Sequence, residues 1–276
     1  MDLRLKDKLV VVTGSTGDGI GRYIAQALVQ QGAYVIINGR SQESVDKTIV
    51  DILAQTTNVD KSKLVGIPGD VASQDGATKF ITDIEAAETQ LQTKVYGLVN
   101  NVGMFGVADF VDLDDEKWLE YHHTNTLSGV RLSRHFLPLM LQRDDGRILF
   151  ISSECGLRPL PHMLAYSVSK TSQLSLARGL AELCKGTRVT VNTILPGPTM
   201  TGGVRKYMQE FAASHNISSL DEAVARYFSD HEPTSLLQRF LDPQEVAAVT
   251  VFTLSPLASG VNGAAQHVDG GIVRHI

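Results

Sequence analysis

Tyr166 and Lys170 are the two side chains whose types and spacing best suit proton transfer. Residues four positions apart lie on one face of a helix, so the lysine ammonium is expected beside the tyrosine phenol. A free phenol has a pKa of about 10, and a nearby positive charge favours the phenolate and lowers that pKa. The pair alone is a weak signal, because a tyrosine and a lysine on a solvent-exposed helix give the same pattern.

A glycine-rich segment follows the first apolar run of the chain and reads Thr13-Gly14-Ser15-Thr16-Gly17-Asp18-Gly19-Ile20-Gly21. Between a strand and a helix, glycines let backbone N–H groups approach a pyrophosphate, and the positive end of the helix dipole adds to the attraction. The spacing differs from the usual GxGxxG, and glycines also form ordinary tight turns. The strand before it and the helix after it favour a phosphate-binding turn.

Several other motifs follow in a fixed order along the chain. They are Asp70-Val71, Asn100-Asn101-Val102-Gly103, Asn125, Ser153, Tyr166-Ser167-Val168-Ser169-Lys170, Pro196-Gly197-Pro198-Thr199-Met200-Thr201 and Val268-Asp269-Gly270-Gly271. With these motifs, and with twelve residues between Ser153 and Tyr166, the chain resembles a classical short-chain dehydrogenase/reductase over essentially its whole length. Any one motif could occur by chance, whereas the complete set is specific.

The resemblance implies roles for four residues. Tyr166 would be the general acid/base toward a carbonyl or alcohol oxygen, and Lys170 would tune it and hold the nicotinamide ribose. Ser153 would hydrogen-bond the substrate oxygen, and Asn125 would anchor a water in a proton relay. Contacts with the dinucleotide are implied for Gly14, Ser15, Thr16, Gly19, Ile20, Gly21, Asp70, Val71, Asn101, Gly103, Tyr166, Lys170, Pro196, Gly197, Thr199 and Thr201.

The end of the second apolar run, Ile37-Asn38-Gly39-Arg40, bears on the choice of nicotinamide cofactor. By resemblance, Gly39 stands where an acidic residue would bind the ribose hydroxyls of NAD(H). The Arg40 guanidinium suits a 2′-phosphate, although a solvated surface arginine is the alternative. Asp18 argues the other way, because NADP-using relatives often carry a basic residue there. We expect NADP(H) to be favoured over NAD(H).

Two positions depart from the family pattern. Four residues, rather than three, separate Gly14 from Gly19, so the phosphate-binding turn is one residue longer. Val102 stands where the family has a small residue near the adenosine side of the cofactor. We expect a local shift of the backbone at this valine.

The elements that must position these residues alternate between short apolar runs and longer helical patterns. Near-continuous apolar strands indicate a sheet that is covered on both faces. The sequence therefore predicts an α/β fold with a doubly wound parallel sheet, Rossmann-like, in one domain spanning 1–276. The expected strands are 9–12, 34–37, 64–67, 95–99, 147–151 and 189–195, and the expected helices are 19–31, 41–55, 73–91, 114–142, 164–185 and 243–254.

Residues 202–233 interrupt this alternation with two amphipathic segments. Apolar residues recur at helical spacing in both, and Ser219 and Glu222 have the spacing of a capping box before the second. We expect a helical flap within the single domain that closes over the substrate. A permanently docked segment or an oligomer contact is the alternative.

Composition excludes several classes of protein. A formal net charge of −5 and the absence of a basic run argue against nucleic-acid binding, and no apolar run is long enough to suggest a membrane span. Cys155 and Cys184 have no CxxC spacing and are expected to be reduced and buried. The acidic and basic residues in 1–8 do not resemble a signal peptide, so a cytoplasmic location is expected. The histidines at 122, 123 and 162 lack the partners of a metal site, and no metal is expected.

The apolar residues of 132–140 and 174–183 appear on more than one helix face, which favours a homodimer or homotetramer. The expected function is hydride transfer between NADP(H) and a carbonyl or secondary alcohol. The alternatives are an NAD-dependent alcohol or polyol dehydrogenase and a dinucleotide-binding regulatory protein without useful turnover.

Overall fold

The computed structural model describes residues 2–57 and 59–274, in which seven strands form one parallel sheet. The order of the strands in the sheet is β3-β2-β1-β4-β5-β6-β7. This order reverses direction next to β1, which creates the crevice where open α/β sheets bind ligands. The strands are β1 (Leu9–Val12), β2 (Tyr34–Gly39), β3 (Leu64–Pro68), β4 (Val95–Asn100), β5 (Arg147–Ile151), β6 (Thr190–Pro196) and β7 (Ala265–Val268).

Nine α-helices connect or flank these strands in the described residues. They are α1 (Ile20–Gln30), α2 (Gln42–Gln55), α3 (Gln74–Leu91), α4 (Asp115–Tyr121), α5 (Ser128–Arg143), α6 (Leu164–Leu183), α7 (Gly202–Ser214), α8 (Leu220–His231) and α9 (Pro243–Leu254). A complete capping box at Asp242 and Glu245 begins α9.

Two buried apolar clusters cover the two faces of the sheet. Alternate residues of β1 point to opposite sides, so Val10 and Val12 lie in the cluster with α1, α2 and α9. Leu9 and Val11 lie in the other cluster, with α3, α5 and α6. The doubly wound α/β prediction is confirmed, and the continuous apolar runs follow from burial on both faces.

The long helix expected over 114–142 is divided. Between α4 and α5 the chain forms a π-helical turn, His122–Leu127, in which each hydrogen bond spans one residue more than in an α-helix. Asn125 lies in this turn and is fully buried. The seventh strand, β7, was not predicted, because its residues alternate between exposed and half-buried positions at the edge of the sheet.

Residues 202–233 form the two expected helices, α7 and α8. A third apolar cluster joins them and contains Met208, Phe211, Ala223, Phe228 and Phe240. The Ser219 side chain accepts a hydrogen bond from Glu222 N at 3.4 Å and so caps α8. The two helices therefore share a small core of their own, which also includes the chain just before α9.

Cys155 and Cys184 are buried free thiols, as predicted. Within residues 2–57 and 59–274, the helices lack the combination of length and apolar character that crossing a membrane requires.

Candidate active site

The glycine-rich turn lies at the carboxyl end of β1 and leads into α1. Gly14 and Gly17 have positive φ angles of 58° and 75°, which only glycine adopts without strain. Gly19 is the N-cap of α1 and provides no side-chain cap, so the first N–H groups of the helix have no side-chain acceptor there. A Cβ at Gly21 would collide with Gly14 O and the Asn101 side chain. The turn thus offers donors and close backbone approach, which suit a pyrophosphate.

Two asparagines hold this turn in place. Asn101 Nδ2 donates to Thr13 O and to Gly14 O, both at 2.9 Å. Asn38 Oδ1 accepts from Gly14 N at 3.1 Å, and Asn38 Nδ2 donates to Gly69 O at 3.1 Å. Asn101 was predicted to face the cofactor. Asn38 was missed, because a buried polar residue inside an apolar strand gives no motif.

Val102 packs directly against the turn. A Cβ at Gly14 would lie 3.0 Å from Val102 Cγ2, so the valine fills the space above this glycine. The same asparagine run ends at Gly103, where a Cβ would lie 3.4 Å from Lys170 Nζ and 3.5 Å from Asn125 Oδ1. The segment after β4 therefore connects the glycine turn with the proposed proton-transfer residues.

The end of β2 leaves no room for an acidic side chain at position 39. A Cβ at Gly39 would approach Thr16 Oγ1 to 2.6 Å and Ser44 Oγ to 2.9 Å. Arg40 follows and is exposed. Asp70 is also exposed after β3, whereas Val71 is buried.

Asp18, a residue of the lengthened turn, connects the turn to α7. Its carboxylate accepts from Tyr23 Oη at 2.8 Å, and its main-chain oxygen accepts from Gly202 N at 2.9 Å. Arg22 lies 3.9 Å away from the same carboxylate. The lengthened turn is thus a contact point for the first residues of 202–233.

Lys170 lies in a buried position on α6, one turn after Tyr166. Its Nζ donates to Ile151 O at 2.8 Å and to Gln173 Oε1 at 3.2 Å, and it lies 5.6 Å from the centroid of the Tyr166 ring. Burial is the largest influence on the pKa of Lys170 and lowers it, whereas nearby Cys155 and Glu154 raise it. The resulting pKa is about 8, below the ordinary lysine value.

The pKa of Tyr166 differs from the sequence expectation. Burial raises it above the ordinary phenol value, the nearby Cys155 and Glu154 raise it further, and a hydrogen bond with Ser153 lowers it. The expectation that Lys170 would lower the pKa is wrong for the chain described here. Burial is the largest influence and decides the sign of the shift, and the ammonium donates its hydrogen bonds to Ile151 O and Gln173.

Asn125 is held from three sides. Its Oδ1 accepts from Met104 N at 2.8 Å, and its Nδ2 donates to Met104 O at 3.0 Å and to Ser169 Oγ at 2.8 Å. Its main-chain oxygen accepts from Gln173 Nε2 at 2.5 Å. Gln173 therefore bridges Asn125 and Lys170. Gln173 was missed because it belongs to no motif.

Ser153 follows β5 and is buried beside Tyr166. Its Oγ accepts from Cys155 N at 3.1 Å and is hydrogen-bonded to Glu154 Oε2 at 2.5 Å. Burial raises the pKa of Cys155 to about 12, so its thiol is protonated at neutral pH. Glu154 was also missed, since the sequence alone does not distinguish a buried glutamate from a solvated one.

An ion pair joins this loop to the end of α8. Arg158 Nη2 lies 2.7 Å from Glu232 Oε2, and Glu232 is buried. Burial and the charges of nearby Glu232 and Glu154 raise the pKa of Tyr227 on α8. The helices of 202–233 thus border the same region as Ser153.

The motif at 196–201 begins at the last residue of β6. A Cβ at Gly197 would meet the backbone of Asp269 at 2.7 Å, so glycine permits a close approach of two segments. Thr199 Oγ1 donates to Gly197 O at 2.8 Å, and Thr201 caps α7 by accepting from Val204 N at 3.4 Å. Thr199 Oγ1 has thus used its donor and keeps two acceptor sites, whereas Thr201 Oγ1 has used one acceptor site and keeps its donor and one acceptor site.

The structure therefore brings Asn125, Ser153, Tyr166 and Lys170 together between the carboxyl ends of β4 and β5 and the start of α6. The glycine turn and Gly103 lie next to them. Arg40 and Asp70 also follow carboxyl ends of strands, those of β2 and β3, on the other side of β1 from β4.

Comparison with known proteins supports one assignment. A family profile described as enoyl-(acyl carrier protein) reductase matches residues 14–273. The chain is 48% identical over 277 residues to uncharacterized oxidoreductase YvrD of Bacillus subtilis (strain 168), covering 100% of both sequences. It is 28% identical over 275 residues to dehydrogenase/reductase SDR family member 4 of Sus scrofa, covering 99% of this chain and 89% of that protein.

A solved structure shows the same likeness. L-sorbose reductase from Gluconobacter frateurii, complexed with NADPH and L-sorbose, matches with a TM-score of 0.89 and 27% identity over 100% of both chains. Its fold, the length of the match and the family profile agree with the motifs that the sequence carries. The chain belongs to the short-chain dehydrogenase/reductase family of oxidoreductases.

Proposed function

We propose that this enzyme interconverts a carbonyl and a secondary alcohol by hydride transfer, with NADP(H) favoured over NAD(H). The observation that carries the proposal is the meeting of Ser153 and Tyr166 beside Lys170, next to a glycine turn with exposed helix donors. A phenol and a hydroxyl that converge on one oxygen suit proton transfer to a carbonyl.

A nicotinamide dinucleotide fits the residues present. Gly14, Gly17 and Gly21 keep side chains away from the place where a pyrophosphate would approach the start of α1. Lys170 would hold the nicotinamide ribose, and the residues from Pro196 to Thr201 would border the nicotinamide. The bound cofactor supplies or accepts the hydride.

The proton step belongs to the chain. In the reducing direction Tyr166 donates its phenolic proton to the carbonyl oxygen while Ser153 hydrogen-bonds the same oxygen. The raised pKa of Tyr166 keeps this proton on the phenol at neutral pH. Gln173 joins Lys170 to Asn125, and we assign these two residues the task of orienting the tyrosine and the cofactor rather than that of a final proton donor.

The preference for NADP(H) is supported by the end of β2. Position 39 has no room for the acidic side chain that would repel a 2′-phosphate, and Arg40 is exposed beside it. The sorbose reductase that matches this chain is complexed with NADPH. The Asp18 carboxylate accepts from Tyr23 and lies 3.9 Å from Arg22, so its charge is directed toward α1.

The proposal includes a cytoplasmic location and a homodimer or homotetramer. Two buried free cysteines agree with a reducing compartment. Leu183, at the end of α6, is 64% exposed and suits a contact between subunits.

The experiment is a substrate panel followed by absorbance of the reduced nicotinamide. Simple ketones, hydroxyketones, ketoses and oxoesters are offered with NADPH and, separately, with NADH; secondary alcohols are offered with the oxidised cofactors. We expect carbonyl reduction with NADPH at a higher kcat/KM than with NADH. Turnover with NADH alone would support an NAD-dependent alcohol dehydrogenase, and binding of either cofactor without any turnover would support a regulatory protein.

A further inference from the structure

Glu154 is a buried carboxyl group that directly follows Ser153 and that the proton-transfer scheme above does not use. The residue is 5% exposed. Its Oε2 lies 2.5 Å from Ser153 Oγ, and its Oε1 lies 3.6 Å from Cys155 Sγ. Its own main-chain N–H is a further hydrogen-bond partner, so these three contacts are all with neutral groups.

The charges around Glu154 do not compensate an ionised carboxylate. On its own loop, Arg158 is paired with Glu232 at 2.7 Å, so its charge is already shared with another buried carboxylate. From α8 and its end, Tyr227 and Glu232 face Glu154, and Glu232 adds a like charge. From α6, Tyr166 and Lys170 face it, and Lys170 donates its hydrogen bonds to Ile151 O and Gln173 instead.

A buried carboxylate without a cation in hydrogen-bond contact is costly, and such a group takes up a proton instead. The balance of these effects has a clear sign. Burial raises the pKa of Glu154, and the repulsion by Glu232 adds to this, whereas the hydrogen bond with Ser153 and the charge of Arg158 lower it.

The hydrogens on Ser153 can be counted. A serine hydroxyl has one hydrogen to donate and two lone pairs to accept. Cys155 N already donates to Oγ. If Glu154 is ionised, the single hydroxyl hydrogen is directed to the carboxylate and is lost to a substrate. If Glu154 is protonated, its O–H fills the second lone pair of Oγ. The hydroxyl hydrogen then points to Tyr166 in the free enzyme and is available to the substrate oxygen once a substrate binds.

We propose that Glu154 is a positioning residue that, as a neutral carboxylic acid, donates a hydrogen bond to Ser153 and so directs the Ser153 hydroxyl hydrogen to the substrate oxygen. The proton order is then Glu154 O–H to Ser153 Oγ, and Ser153 O–H to the carbonyl oxygen. No bond is broken in this chain, and Tyr166 remains the group that transfers a proton. The inference rests on the proposed carbonyl chemistry for its kinetic consequence.

Glu154→Gln and Glu154→Met separate donation from packing. The glutamine amide can donate to Ser153 Oγ and has nearly the same shape, whereas the methionine thioether cannot donate. We expect Glu154→Gln to keep kcat within about threefold of the wild type, and Glu154→Met to lose about tenfold or more, the scale of one hydrogen bond that acts in the transition state. The KM for NADPH is expected to stay unchanged in both.

The pH profile gives a second kinetic readout. Ionisation of Glu154 redirects the hydroxyl hydrogen, so wild-type kcat for reduction should fall as pH rises through the pKa of Glu154. Glu154→Gln should lack that loss and retain only the later loss caused by Tyr166. In a Ser153→Ala background, Glu154→Met should cost nothing further. An equal loss in both Glu154 variants, or an undiminished effect without Ser153, would overturn the inference.

Infrared spectroscopy tests the protonation state without any substrate. The difference spectrum between the wild type and Glu154→Gln at neutral pH should contain the carbonyl-stretch band of a protonated carboxylic acid. Carboxylate bands in its place would overturn the inference, whatever the activity. A protonated-acid band together with a wild type that reduces no carbonyl would leave Glu154 neutral and would instead refute the proposed function.

Discussion

Lys170 shows how one buried position sets the behaviour of a charged group. Its ammonium has two protein acceptors, Ile151 O and Gln173 Oε1, yet burial still lowers its pKa to about 8. The loss of hydration outweighs the two hydrogen bonds. Gln173 in turn occupies the main-chain oxygen of Asn125, so a side chain of α6 connects two residues of the proposed site.

A first prediction concerns the pH dependence of stability at Lys170. An unfolded lysine is protonated up to about pH 10.4, whereas Lys170 in the native chain loses its proton near pH 8. Between these values the unfolded state binds more protons, so the contribution of Lys170 to the free energy of unfolding rises with pH. Lys170→Met removes this rise.

The measurement is urea unfolding of both proteins from pH 7 to pH 10. The difference in the free energy of unfolding, Lys170→Met minus the wild type, should decrease steadily over this range. The wild type gains stability with rising pH, and the variant lacks this gain. A difference that stays constant with pH, or that grows, would show that Lys170 has an ordinary lysine pKa.

A second prediction concerns Arg40. If its guanidinium binds the 2′-phosphate, Arg40→Ala should weaken NADPH binding by about 1.5–3 kcal/mol, the range for hydrogen bonds to charged groups, and leave NADH binding almost unchanged. Titration calorimetry with both cofactors measures this. Lys61→Ala is the matched control, because Lys61 is an exposed cation that precedes β3. It therefore lies at the amino end of a strand, whereas Arg40 follows the carboxyl end of β2. Equal losses for NADPH and NADH, or none, would reduce Arg40 to a surface charge.

Among the elements, α7 and α8 pack on each other in an apolar cluster separate from the two clusters of the sheet. Their mutual packing includes Tyr227 against Tyr207 and Phe211, with ring centroids 6.2 Å and 6.0 Å apart. Two polar contacts join them to the proposed site: Gly202 N to Asp18 O, and Glu232 to Arg158. One contact lies at each end of the pair, beside the glycine turn and beside the Ser153 loop. We propose that 202–233 is a flap that closes over the substrate.

The prediction for this flap is protection on ligand binding. Amide hydrogen exchange across 204–228 should be fast in the free protein and should slow when NADP(H) and a substrate analogue are added, because local opening becomes less favourable. Exchange in α3, whose buried residues belong to a cluster of the sheet and not to the flap cluster, serves as the internal control. Equal protection of 204–228 in both states would identify a fixed wall.

The elements also show what a single sequence can and cannot predict. The apolar runs of β1, β4 and β5 were predictable because both faces of these strands are buried. β7 was not, because an edge strand with exposed alternate residues lacks that signal. The break at His122–Leu127 was also missed, since a π-helical turn keeps helical periodicity almost unchanged.

Within the site, motif residues such as Ser153 and Tyr166 were predictable, and their supports were not. Gln173, Glu154 and Asn38 act through partners that are distant in sequence or through burial, and neither property can be read from residue type. The pKa of Tyr166 was predicted with the wrong sign for the same reason, because helical spacing indicates a neighbour but not the loss of hydration.

At the scale of the whole molecule, the apolar faces of α5 and α6 have a different explanation from the expected one. Leu132, Phe136 and Met140 of α5, and Ala177 of α6, are buried in the core of their own domain. Leu183 remains as a largely exposed leucine at the end of α6. The argument for assembly from unpartnered faces is thus restricted to a small part of these helices.

The assembly prediction follows from that exposed leucine. We expect the protein to sediment as a dimer or tetramer, and we expect Leu183→Glu to shift it toward the protomer, because a charge in a subunit contact must be desolvated. Val50→Glu is the control, since Val50 is equally exposed at 64% but lies on α2. A monomeric wild type would contradict the prediction, as would dissociation caused by Val50→Glu alone.

The central claim is that Tyr166 supplies the proton for carbonyl reduction by this member of the family. The most direct measurement is kcat for NADPH-dependent reduction by the wild type, Tyr166→Phe and the control Tyr34→Phe. Tyr34 is the first residue of β2, so it lies at the amino end of that strand, away from the carboxyl ends that border the proposed site. With NADPH binding retained in all three, Tyr166→Phe should lower kcat by about 100-fold or more, as expected for the loss of a positioned acid, while Tyr34→Phe stays near the wild type. A Tyr166→Phe variant that turns over at the wild-type rate would contradict the account.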